Sequence, residues 1–129
     1  MKLLRPSMTL AFSVLLGGCA LPAPTAPGLL DVAERPAEKA LLAGMRAYDD
    51  AQYAQAEQLL MQALKVGLAS ARDRAAAHKH LAFIYCTSKR LPACEAEFRA
   101  ARADDPAFAL SKAEAGHPLW GPVWQRVRQ

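Results

Sequence analysis

Aromatic residues are scarce in this chain: Phe, Trp and Tyr make up 7% of its 129 residues. Sheet cores lean on aromatic and β-branched side chains, whereas this sequence is rich in alanine, which suits close-packed helices. Basic charge is present but scattered. The formal charge is +4, yet the densest basic group is Lys89-Arg90, which fits a solvated corner between helices and gives no patch for nucleic acid. No apolar run approaches the ~20 residues that a helix needs to cross a bilayer. No glycine-rich phosphate loop and no serine in a nucleophile elbow occurs. His78 and His80 are two apart and would diverge by about 200° on a helix, and His117 follows a glycine. With no His-x-x-x-His and no carboxylate at ligand spacing, no metal is expected. Asp49-Asp50 and Asp104-Asp105 each adjoin a turn, where carboxylates cap helices or stay solvated. The expectation is a protein without catalytic residues and without a diffusible cofactor.

The N-terminus is organised around Leu15-Leu16-Gly17-Gly18-Cys19-Ala20. Lys2 and Arg5 give a positive start, Thr9 to Leu16 is apolar, and two glycines precede the cysteine, which is the layout of a secretory signal. Leu16-Gly17-Gly18-Cys19 resembles the lipobox of bacterial lipoproteins. That resemblance implies cleavage after residue 18 and a covalent lipid on Cys19. An anchor of several acyl chains is stable because each buried methylene adds ~0.8 kcal/mol. Ala20 stands after the cysteine where inner-membrane lipoproteins of enterobacteria carry Asp, which implies the outer membrane, with the domain facing the periplasm. Residues 1–18 are thus read as signal peptide. Residues 19–36 are read as lipidated cysteine and linker, because Pro22, Pro24, Pro27 and Gly28 prevent regular helix.

Residues 37–129 read as one helical domain containing an internal repeat. Apolar residues at 41, 42, 45 and 48 form one helical stripe, and those at 56, 59, 60, 63 and 64 form another, with a polar break at residues 49–52. The pattern returns with Leu81, Ala82 and Tyr85, a break at residues 88–90, Pro92 as a helix start, then Phe98, Ala101 and Pro106. Gly44, Tyr53, Ala56, Leu60 and Ala63 in the first copy, and the corresponding residues of the second, resemble a pair of tetratricopeptide repeats. The resemblance implies antiparallel helix hairpins in an all-α fold. The copies are offset by 38 residues, not the family's 34, and the extra residues are expected in a loop at 67–74. On the family's grid the partner-binding groove falls on Leu41, Met45, Tyr48, Lys79 and Phe83, a strip able to take a segment of another protein.

Two repeats need a cap. Residues 107–115 are expected to form a further helix stopped at Gly116, and a short helix follows from Pro122. Trp120 and Trp124 are four apart, and close the open end of the stack or form a docking patch. The runs at residues 80–86 and 113–123, with Cys94 and Phe98, resemble small lipoproteins associated with type VI secretion systems. The implied role is an accessory that holds other envelope proteins, type VI secretion components among them, through protein–protein contacts. The other reading is a structural envelope lipoprotein supporting cell-wall or outer-membrane assembly.

With Cys19 assigned to lipid, Cys86 and Cys94 are left as an even pair in an oxidising compartment. They lie at the two sides of one hairpin corner, within disulfide reach. The alternative is two buried thiols acting as small apolar fillers.

Overall fold

A computed structural model describes Gly28 and residues 35–129. The signal, Cys19 and nearly all of the linker lie outside the described residues. The chain forms α1 (Pro36–Asp49), α2 (Tyr53–Val66), α3 (Ala71–Thr87), α4 (Leu91–Asp104), α5 (Lys112–Ala115) and α6 (Gly121–Val127), and no strand among the described residues. Helices α1 and α2 pack as one antiparallel hairpin and α3 and α4 as a second. The hairpins stack mainly through α2 and α3, and α6 lies on α4. The architecture is all-α and tetratricopeptide-like.

Pro36 opens α1 within its first turn, where its missing N–H would have had no helical partner. In the first hairpin Ala56, Leu60 and Ala63 are wholly buried, and their counterparts Cys94, Phe98 and Ala101 are wholly buried in the second. Gly44 lets α1 and α2 touch: a Cβ there would stand 2.9 Å from Leu60 Cγ and 3.2 Å from its backbone nitrogen. Small residues at the crossings and one large residue beside them form the core of each hairpin.

The backbone repeats as faithfully as the side chains. Gln52 N–H donates to Ala47 C=O at 2.8 Å and Ala51 N–H to Tyr48 C=O at 3.0 Å. Thirty-eight residues on, Arg90 N–H donates to Tyr85 C=O at 2.8 Å and Lys89 N–H to Cys86 C=O at 3.1 Å. These are paired Schellman closures, in which one left-handed residue satisfies the last helical carbonyls. That residue is Ala51 (φ 59°) in one corner and Lys89 (φ 62°) in the other, and neither is glycine. A side chain in this region costs roughly 1–2 kcal/mol, partly offset by the freedom glycine adds to the unfolded chain. Ala51→Gly and Lys89→Gly are therefore each expected to raise stability by about 0.5–1 kcal/mol, additively. Urea midpoints check this; a loss of stability in either variant would contradict the corner geometry.

Two expectations need correction. The residues at 67–74 are not all loop. Leu68 is buried, Ser70 caps α3 by accepting from Asp73 N–H, and α3 is already helical from Ala71. Arg74 pins the junction, donating to Leu68 C=O at 2.9 Å and through Nε to Asp104 Oδ1 at 2.7 Å. Nor is 107–115 one helix. Asp105 accepts from Ala107 N–H at 3.0 Å through its side chain and from Phe108 N–H at 2.8 Å through its carbonyl, which folds the chain into a turn. Helix restarts only after Ser111, where Ser111 and Glu114 make a reciprocal capping box.

Candidate functional site

The first helices of the two hairpins, α1 and α3, meet along the inner face of the stack. Tyr48, near the end of α1, places its ring edge-on to His80 at 5.3 Å and tilted against Phe83 at 6.3 Å. One turn before Phe83 on α3, Lys79 holds its Nζ 5.7 Å from the Phe83 ring centre. Tyr48 and Lys79 thus each approach Phe83. Leu41 and Phe83 do not offer an open surface: they are 5% and 4% exposed. Met45 is half-buried against the same core.

At Lys79 and Phe83 the chain covers this face itself. Glu114 of α5 reaches Lys79, Oε1 to Nζ 2.7 Å, while its Oε2 accepts from Ser111 N–H at 2.9 Å. Burial pushes the Glu114 carboxyl up, but Lys79 and the Ser111 hydrogen bonds outweigh it and hold the group below the usual carboxylate range. Trp120 stacks on Phe83, centroids 4.2 Å apart and planes at 22°, and its Nε1–H donates to Glu114 C=O at 2.8 Å. His117 lies parallel to Trp120 at 3.4 Å.

Between Tyr48 and Phe83, His80 is 8% exposed. Burial lowers its pKa, although the Ala76 carbonyl opposes the shift. A carbonyl can only accept, so Nδ1 carries the proton of the 2.8 Å bond to Ala76 O. Tyr48 is raised, first by burial and then by Tyr53, Asp49 and Glu114.

The two tryptophans have different surroundings. Trp124 is 3% exposed and sits 5.5 Å from both Phe98 and Phe108. Trp120 is half-buried on Phe83. Phe83 in turn meets Phe98 edge-on at 6.0 Å. The few aromatics are therefore concentrated: Tyr53, Tyr48, Phe83, Phe98, Trp124, Phe108 and Trp120 form one connected network from the first corner to the C-terminal helix.

Cys86 and Cys94 are disulfide-bonded, with S–S 2.09 Å and Cα–Cα 5.2 Å, across the α3–α4 corner. A crevice of about 300 Å³ opens beside the N-terminus of α2, lined by Tyr53, Glu57, Ile84 and Arg90 among others. Its charges satisfy each other. Arg90 donates to both Glu57 oxygens at 2.9 and 2.8 Å, and its guanidinium lies 4.3 Å over the Tyr85 ring. The hydrogen bond from Arg90 lowers the Glu57 pKa. His78 points away from His80 and bridges Glu97 and Asp104 of α4. Among the described residues no three His, Cys, Asp or Glu side chains gather in metal-binding geometry, and no helix is long and apolar enough to cross a membrane.

Sequence reasoning missed His80, Glu114 and His117 as members of this site. Glu114 had a local signal, the Ser-x-x-Glu cap, but its pairing with Lys79 spans 35 residues and leaves no periodic trace.

Fold and site together define a stack of two helix hairpins whose C-terminal segment returns onto Lys79 and Phe83 of the second. No protein-family model, curated protein or solved structure matches the chain.

Proposed function

We propose that this chain is a lipid-anchored, non-catalytic interaction module of a bacterial envelope, tethered through Cys19 to the outer membrane with its helices in the periplasm. The observation that carries this reading is the Cys86–Cys94 bond. Disulfides persist in exported compartments, so the bond agrees with the lipobox on independent grounds. Helix-hairpin stacks recognise segments of other proteins through their inner faces. The likeness of residues 80–86 and 113–123 to type VI secretion lipoproteins supports an accessory role in that machine.

Cys19→Ser is expected to move the protein from the membrane pellet to the soluble periplasmic fraction of the native host. Retention in the pellet would defeat the anchor. Crosslinking of the lipidated protein in intact cells should recover sheath, baseplate or membrane-complex components. Recovery of cell-wall or outer-membrane assembly proteins in their place would transfer the assignment to a structural envelope lipoprotein.

A further inference from the structure

The segment from Ser111 to Trp120 lies in the longest stretch of the described fold without a buried residue. None of its ten residues is buried, whereas every helix longer than four residues buries at least three. The chain on either side of it is fixed to the rest of the fold. On one side Phe108 rests against Trp124. On the other, α6 is fixed by buried Val123, Trp124 and Val127 and by Arg102 Nη1 donating to Val127 C=O at 2.7 Å. At its C-terminal end the segment runs into α6, where Trp120 C=O accepts from Trp124 N–H at 2.9 Å and Gly121 N–H donates to His117 C=O at 2.8 Å, so lifting it frays the first turn of α6 while Val123, Trp124 and Val127 keep the rest of that helix on α4. The segment's polar and aromatic contacts to α3 come from two side chains, Glu114 on Lys79 and Trp120 on Phe83. The ion pair is partly solvated, with Lys79 22% and Glu114 28% exposed.

We propose that this segment is a displaceable strap, and that the surface beneath it docks an extended segment of a partner protein bearing an acidic side chain for Lys79 and an aromatic ring for Phe83. When the strap lifts, it leaves an unpaired cation beside an apolar ring. An occupant has to supply what the strap supplied, a carboxylate and a flat aromatic face, because a buried ring regains its stabilisation only by packing and a part-buried cation only by pairing. The strap is thus a tethered competitor, effective because its tether keeps its local concentration high. This rests on the reading of the chain as an interaction module, and it names the site and the chemistry of the partner.

The test uses the full lipidated chain in detergent and a fluorescein-labelled synthetic peptide of residues 110–121 as probe. Glu114→Gln/Trp120→Ala is expected to bind the peptide at least ten-fold more tightly than the wild type in an anisotropy titration. A peptide carrying the same two substitutions should lose that binding. Circular dichroism establishes that the variant is folded, and Glu114→Gln alone, which keeps the Trp120 stack, should give intermediate binding if the double variant is not. Equal peptide binding by wild type and variants, or binding by neither, overturns the proposal. So does a wild-type dimer that the double substitution dissociates, since the occupant would then be the strap of a second copy. The assay needs no membrane and no secretion component, so its failure leaves the anchoring and crosslinking tests to be decided separately.

Discussion

Phe98→Ala is expected to lower the unfolding free energy by about 3–5 kcal/mol. Phe98 is wholly buried and is the largest of the fully buried side chains. It joins three elements: it projects from α4, meets Phe83 of α3 edge-on at 6.0 Å and faces Trp124 of α6 at 5.5 Å. Truncation removes the ring's transfer free energy and leaves a cavity whose walls are themselves aromatic and poorly able to collapse. Domains of this size have only about 5–15 kcal/mol to lose, so a large share of the stability depends on one ring. Phe108→Ala, which touches Trp124 from a half-buried position, is the comparison and should lose markedly less. Denaturant unfolding measures both. A loss below about 1 kcal/mol for Phe98→Ala would mean that the network around it is not the core described.

Removing the disulfide should be the next largest effect. Cys86→Ala/Cys94→Ala is expected to cost about 2–4 kcal/mol. The bond closes a separation of 8 residues, for which the chain-entropy estimate is roughly 2.5 kcal/mol, and loss of two buried sulfurs adds a packing term since the cysteines are 3% and 0% exposed. For a domain of under 100 ordered residues this corresponds to a fall in Tm of roughly 10–20 °C. The bond also ties the last turn of α3 to the first of α4, across the corner where Cys86 C=O accepts from Lys89 N–H. Thermal melts with and without reductant separate the contributions. Reductant should destabilise the wild type and leave the double variant unchanged. A wild type indifferent to reductant would show that its thiols are not bonded.

What could be read from the sequence was whatever repeats locally. The stripes at 41, 45 and 48 and at 56, 60 and 63 locate α1 and α2, and the recurrence at Leu81, Tyr85, Phe98 and Ala101 locates α3 and α4. Pro36 and the polar breaks come within a residue or two of the helix ends. The corners were harder. Their left-handed positions hold Ala51 and Lys89, so the glycine that usually marks such a closure is missing. The inner face was harder still. The repeat grid assigns Leu41 and Phe83 to a groove because in longer stacks that surface stays open. Here a non-periodic stretch covers the Phe83 side of it, and its two contacts, Glu114 to Lys79 and Trp120 to Phe83, join residues far apart in the chain. Hydrophobic periodicity carries no information about such pairings.

The placement of α6 gives the stack a direction. Val123, Trp124 and Val127 turn inward on α4, while Gln125, Arg126 and Arg128 face outward and are exposed. A helical repeat array ends where a polar outer surface replaces the next unit, so no third hairpin fits behind α4 without evicting α6. At the other extremity α1 carries Leu42, 43% exposed, and has no such cover among the described residues. Growth of the array behind α4, by gene duplication or by design, would therefore have to displace α6 first, whereas the described residues put no such obstacle on the outer side of α1.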